Sequence, residues 1–565
     1  MKNGPAPPEG TGWECDKLSR AGSDAQFDGY IGRLTQNGGA LCGGLLNGLL
    51  FDSWECKTQT WTPDMEQEFY QRTGYALRKW IPALFGYVVD DSETTTRFLL
   101  DWRRVVGDLF ADNFYGNMAE RAKQNGLSIS YETAAGDIFP ADIMEYYKYA
   151  DVPMCEFWQP FTEGYVGSLN FKPIKPTASA ARLYGKPRVA AEAFTSFNHT
   201  WDENFQMLRE VANVNCVEGV THLIFHTYTH NPQVDFLPPG TSFAGAGIGT
   251  PFLKGQTWWK YMKEFNIYLA RCGYLFERGC PASDVLWYLG DEIDHKPDQQ
   301  AAFPDGYKYD YCNPDVLLSR LSVRDGKIVT PEGISYEVLW MPSTYRMLPE
   351  TLEKIYELLC DGAVVVGEAP QGLATLSGGD AAQRRFDEAV SKIWGEKPAS
   401  GIREVGNGKI ISGLSLEQVL TQLEIQPDVH ASGALWLHRT TGDVDWYYVC
   451  APKGSGFEGV VDFRSTGRVR LWDPVDGSIE DIPCEQRDGR TFIPLDLAPS
   501  GSCFIVFEKG EKQKKVSQQQ IFETIAVLDG EWEFRFPNGW GAPQSLRSEL
   551  KPWKDLDLSQ AGKSF

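Results

Sequence analysis

Positive charge is scarce in this sequence. Its 54 Lys and Arg are outnumbered by 76 Asp and Glu, which leaves a formal net charge of −22 over 565 residues. A nucleic-acid binder needs a basic stripe, so the balance argues against that class. It suits cation sites built from carboxylates, and equally an acidic surface that only aids solubility. The 12 cysteines never occur as CxxC or at His-Cys metal spacing. Neither a zinc site nor a disulfide framework follows, and most are expected as buried thiols. No window approaches the roughly 18 uninterrupted apolar residues of a membrane span. Met1–Gly10, MKNGPAPPEG, has no apolar stretch after its Lys, so it does not read as a signal peptide.

What is present is ordinary for a globular protein, with 42% hydrophobic and 23% charged residues. The length predicts several domains. Aromatics make up 13%, including 18 Trp and 24 Tyr, whose flat faces and polar edges suit sugar rings as well as cores.

The chain is organised around Leu49–Trp61, LLFDSWECKTQTW, a short apolar run that ends in Asp52 and Glu55. A barrel strand delivers carboxylates to a sugar site in this way. Residues 1–44 read as loops around one or two short helices, and 64–74 and 99–124 as helices. Strands follow at 127–133, 152–158, 188–194, 220–228 and 284–289, with helices at 141–150, 177–184, 204–215 and 258–279 between them. Such alternation predicts a parallel sheet covered on both faces, with polar residues at the C-terminal strand ends, as in a (β/α)8-type barrel. Six strands are counted, near 48, 130, 155, 190, 224 and 286. A full barrel needs eight, so the count predicts a barrel incomplete at its N-terminus, with a smaller irregular barrel as the rival reading.

The fold class expected is therefore multidomain α/β plus β. Residues 1–291 form the barrel and 292–425 a flavodoxin-like α/β domain. Residues 426–508 form a β-sandwich, 509–520 a charged linker, and 521–565 the start of a further β module. GEAPQG after the AVVV strand at 363–366 lacks the features of a phosphate loop and reads as a turn.

Hydrolysis of a glycosidic bond needs one carboxylic acid to protonate the leaving oxygen and a second carboxylate to activate water or attack directly. The strand-end candidates are Asp52, Glu55, Glu132, Glu156, Glu192 and Asp291. Any one of them is as readily a helix cap. Several sharing one pocket would require protonation or a cation such as Ca²⁺. His226 and His230 in HTYTH have an i, i+4 spacing but follow a strand, not a helix, so zinc is not read from them. His226 and Tyr228 are read as sugar contacts, or as satisfied buried groups. Trp258 is read as a wall of the sugar site, or as packing against the barrel.

At these residues the sequence resembles glycoside hydrolase family 106, the α-L-rhamnosidases. The stretches that carry the resemblance are GTGWECDKLS at 10–19, FDSWE at 51–55, QTWT at 59–62, FLLDWRRV at 98–105, AAEAFTS at 190–196, HTYTHNP at 226–232 and QTWW at 256–259. The resemblance implies an inverting, calcium-dependent enzyme that releases terminal L-rhamnose from a glycan or glycoside, and a periplasmic or secreted location. It also implies that the chain is a fragment, shortened at both ends. Glu55 would be the general acid and Glu192 the base, or the reverse. Glu156 and Glu132 would hold or neighbour Ca²⁺, and Asp52, His226, Tyr228, His230 and Trp258 would contact substrate. Leu253-Lys254-Gly255 before QTWW departs from the Arg-containing loop expected there. Inversion predicts carboxyls about 6.5–9.5 Å apart. A barrel glycosidase for another sugar, or a non-catalytic carbohydrate-binding relative, is the alternative.

Overall fold

The computed structural model describes residues 2, 7–53, 59–132, 142, 144–159, 174–196, 203–228, 248–254, 256–292, 303–342, 345–398, 400–514, 523–539, 541–552 and 555–559. It divides into two units, Met1–Lys514 and Lys515–Phe565. Among the described residues no helix is long and apolar enough to cross a membrane.

In the first unit, five strands form one all-parallel sheet in chain order: β1 Gly48–Phe51, β2 Ser128–Glu132, β3 Val152–Trp158, β4 Ala190–Thr195 and β5 His222–Phe225. Helices cover one face. Asn117–Gln124 precedes β2, Ile174–Leu183 joins β3 to β4, and Phe205–Glu218 joins β4 to β5. Asn204 caps the last of these, accepting from Gln206 N at 3.0 Å and Met207 N at 3.2 Å. The helix-covered face carries Ile129 and Tyr131 on β2, Cys155 and Phe157 on β3, and Ala191 and Ala193 on β4. Burying a side chain as large as Tyr131 or Phe157 contributes roughly 1.5–3 kcal/mol.

The helix expected over 99–124 is interrupted. Ser92–Leu109 is α-helical, Phe110–Gly116 widens to a π-type turn, and Asn117–Gln124 resumes. The capping Asp91, outside the expected span, starts the helix seven residues earlier by accepting from Thr94 N at 2.7 Å. Helix 141–150 shrinks to a short 3-10 turn at Glu145–Tyr149 among its described residues.

The strand counted sixth in the barrel lies elsewhere. Val285–Tyr288 pairs in parallel with Tyr309–Cys312 on one side and Val338–Met341 on the other. It is thus an inner strand of a second, six-stranded sheet that continues through Val364–Gly367 and Gly408–Ser412 to the antiparallel edge Gly401–Val405. The α/β layer therefore starts before residue 291. A βαβ rhythm shows that a strand is parallel, but not which sheet takes it, and here the pairing partners lie downstream.

The β-rich stretch builds two packed sheets. Val429–His430, Phe457–Phe463, Glu485–Arg487 and Arg490–Leu497 form one. The other holds Leu435–Thr440, Val444–Cys450, Arg468–Trp472, Ile479–Asp481 and Ser502–Glu508, with Cys280–Pro281 added at its edge. This second sheet is covered on both faces. Tyr447, Val449, Cys503, Ile505 and Phe507 face the other sandwich sheet. Trp446, Tyr448, Cys450, Phe504 and Val506 join the cluster under β3–β5 and the helix Met262–Phe276. Continuous apolar strands result. Polar bonds pin the seam: Tyr448 OH donates to Asn213 Oδ1 at 2.7 Å, and Asn213 Nδ2 donates to Ser500 O at 3.0 Å.

In the second unit, Glu531–Arg535 pairs antiparallel with Ser545–Glu549.

Candidate functional site

The face of the five-stranded sheet turned away from the helices carries the acids. Residues paired across a parallel sheet lie side by side, and residues two apart point the same way. Phe51 pairs with Tyr131, which sets Asp52 beside Glu132. Glu132 pairs with Met154, and Glu156, two residues on, pairs with Glu192. By this parity Asp52, Glu132, Glu156 and Glu192 share one face, Asp52 and Glu132 at the ends of their strands and Glu156 and Glu192 within theirs.

Three of them converge. One carboxylate oxygen each from Asp52, Glu132 and Glu192 lies within 4.8 Å of the others. Glu132 is fully buried, Glu156 nearly so, and Asp52 is exposed. His226 follows β5, with Nδ1 3.9 Å from Glu192 Oε1. Burial pushes its pKa below the ordinary imidazole value, and the nearby Asp52 and Glu156 carboxylates only partly oppose this. A neutral imidazole can both donate and accept.

An irregularity shapes the end of β4. Register slips between Phe157 and Trp158, where one extra residue enters β4 opposite β3. That residue is Phe194, fully buried with φ +69°. Thr195, an odd number of positions from Glu192, would face the helices in a regular strand. After the bulge its hydroxyl donates to Glu192 Oε1. The kinked backbone is clamped: Phe194 O accepts from Thr250 Oγ1 at 2.8 Å, Thr195 O from Gln159 N at 2.7 Å, and Gln159 Nε2 donates to Thr250 Oγ1 at 2.7 Å. Gly249 lets this segment pass close to His226. Its φ is +83°, and a Cβ there would lie 2.8 Å from His226 Nδ1. Thr195, Gln159 and Thr250 were missed in the sequence because a strand pattern gives no sign of a bulge at a non-glycine residue.

Other expected site residues fall differently. Tyr228 is exposed, with its ring centroid 6.0 Å from that of Trp259. Trp258 packs edge-on against Phe205 at 5.2 Å and Phe252 at 5.9 Å, within the apolar cluster under the sheet. Asp291 does not join the acids. It follows Val285–Tyr288 in the second sheet, where it accepts from Tyr288 OH at 2.7 Å, Thr351 Oγ1 at 2.8 Å and Leu348 N at 2.8 Å. It thereby ties down Leu348 and the first turn of the helix Pro349–Cys360, a structural role. Glu55 and His230 lie outside the described residues, and with Glu55 the expected acid–base separation.

Three carboxylates this close repel one another, and a bound cation would relieve that repulsion. Oxygens about 2.4 Å from one Ca²⁺ lie at most about 4.8 Å apart, so the cluster fits a hard divalent ion.

Comparison with known proteins adds to this geometry. Residues 1–486 match the glycoside hydrolase 106 family, described as alpha-L-rhamnosidase. A protein of Formosa agariphila provisionally named a beta-glucuronidase is 34% identical over 520 residues, 91% of this chain and 43% of its own. The structure of a rhamnosidase from Novosphingobium sp. PP1Y matches with a TM-score of 0.88 at 30% identity, covering 100% of this chain and 54% of that one. A catalytic mutant of a GH42 beta-galactosidase from G. stearothermophilus matches with a TM-score of 0.51 at 12% identity, covering 82% of this chain and 78% of that one, a likeness of fold alone. The chain spans about half the length of the first two of these proteins.

Proposed function

The chain belongs to the glycoside hydrolase 106 family of α-L-rhamnosidases, and on that premise we propose that it hydrolyses terminal α-L-rhamnosides with inversion and with the aid of a bound Ca²⁺. The observation that carries the reading is the convergence of Asp52, Glu132 and Glu192 on one polar face, with Glu156 and His226 beside them. Asp52 and Glu132, with Glu192 or Glu156 at their side, would hold the ion. Giving one oxygen each, three carboxylates would leave at least half of the roughly 6–8 oxygen positions of Ca²⁺ for water and sugar hydroxyls. When bound, the ion supplies charge neutralisation among the acids and a grip on those hydroxyls.

Glu192 takes a proton from water as the water oxygen bonds to the anomeric carbon. The glycosidic C–O bond breaks, and the leaving oxygen takes a proton from a second carboxylic acid, the role assigned to Glu55. Neutral His226 contacts a sugar hydroxyl without adding charge. Exposed Tyr228, with half-buried Trp259 beside it, gives an aromatic surface for the aglycone. The TIM-type barrel frame follows from the same reading, with β1–β5 as five of its strands.

A uronic acid is the other substrate to weigh, given the name of the Formosa agariphila relative. Its carboxylate would add negative charge to a face whose four acids already outnumber the two positive charges of one Ca²⁺. A neutral deoxy sugar avoids that cost. The test is nitrophenol release from aryl α-L-rhamnoside and aryl β-D-glucuronide, each with and without a calcium chelator. Rhamnoside turnover that chelator abolishes, and that Glu192→Gln removes, is expected. Glucuronide turnover alone, or turnover indifferent to chelator, counts against the reading.

A further inference from the structure

We propose that Thr195 is a positioning residue for Glu192, brought to the site by the bulge at Phe194. This rests on the reading of Glu192 as the base. Three observations converge. The Thr195 hydroxyl donates to Glu192 Oε1. It reaches that side only because Phe194, at φ +69°, inserts one residue into β4 and so reverses the facing of Thr195. The reversal is held by buried groups from two other segments, Gln159 after β3 and Thr250 before the helix Met262–Phe276.

A glutamate has three side-chain torsions, so an unheld carboxylate at a strand end samples several directions. A base must keep one direction within about half an ångström for water to lie between it and the anomeric carbon. Thr195 fixes one oxygen of Glu192, and with it the direction of the carboxylate. A buried non-glycine residue in the left-handed region is strained and persists only where its surroundings enforce it. The two-sided clamp is that enforcement, and orientation of Glu192 is its product.

The test uses the whole chain and an aryl α-L-rhamnoside, with kcat and KM measured separately. Thr195→Val keeps the branched shape and removes the hydroxyl. It should lower kcat about 10- to 100-fold with KM within about twofold, as expected for misplacement of a reacting group. Thr195→Ser should recover most of the loss. Should Thr195→Val fail to fold, Thr250→Val carries the test, because it removes the bond to Phe194 O; it too should lower kcat and spare KM. Unchanged kcat in a folded Thr195→Val or Thr250→Val, or failure of Thr195→Ser to recover activity, overturns the proposal while Glu192→Gln stays inactive. An active Glu192→Gln, or a wild-type chain without turnover, removes the base reading itself and the proposal with it.

Discussion

Replacing His438 by glutamine should flatten the alkaline side of the stability profile. His438 is buried in the sandwich, with Nδ1 2.7 Å from Asp428 Oδ2 and Nε2 3.5 Å from Asp445 Oδ1. Burial alone would lower its pKa, but the two carboxylates, Asp428 first, outweigh that and raise it to about 9. Asp428 is correspondingly held low: burial pushes its pKa up, and His438 more than offsets this. An unfolded histidine titrates near 6.5. With the folded value above the unfolded one, the stabilisation is fully present below about pH 6.5 and is lost as pH rises through about 9. A gap of that size is worth about 3 kcal/mol in full, of which roughly 2 kcal/mol disappears between about pH 7.5 and 9.5. The assay is calorimetric melting of wild type and His438→Gln at about pH 6, 7.5 and 9.5. Glutamine also leaves the buried Asp428 without its cation, which raises that carboxyl's pKa and so bends the curve on its acid side. The difference between the two proteins should shrink by roughly 2 kcal/mol over the upper interval. Parallel curves from about pH 6 to 9.5 would refute the reasoning.

Calcium should raise the melting temperature of the wild type, by about 2.7 kcal/mol of stability at a hundredfold excess over Kd. Asp52→Asn combined with Glu132→Gln should abolish the response, and a wild type indifferent to both calcium and chelator would exclude the ion. Asp310→Ala should cost about 3–5 kcal/mol in denaturant unfolding, because it leaves the buried Arg182, 2.6 Å away, without its counter-charge; a loss below about 1 kcal/mol would contradict this. Gly219→Ala should cost at least about 1–3 kcal/mol of thermal stability, since Gly219 has φ +121° and a Cβ there would lie 2.6 Å from that of Ala178. A neutral substitution at 219 would show that the helix end can shift.

Much of the frame was legible because burial writes itself into apolar runs. The segment 152–158 is a strand at both ends as expected. Each strand-end acid on β2–β4 could be placed on a strand, and parity puts them on one face. What could not be read is what depends on neighbours far along the chain. Val285–Tyr288 is an apolar strand in either sheet, and only pairing with 309–312 and 338–341 decides which. Asp291 looks like its counterparts until Leu348 and Thr351 are found on it. The bulge at Phe194 has no composition signal, since the clamp that enforces it comes from Gln159 and Thr250.

The doubly covered sandwich sheet has an evolutionary consequence. Along Val444–Cys450, every second side chain belongs energetically to helices more than 150 residues upstream, through Tyr448 with Asn213 and Tyr268. The sandwich is therefore not a portable accessory. Exchange with a foreign module would have to carry Trp446, Tyr448, Phe504 and Val506 along, or supply new helices to match. Drift among relatives should show Asn213, Tyr268 and Tyr448 changing together, while the odd-numbered neighbours Tyr447 and Val449 vary only with the opposite sandwich sheet.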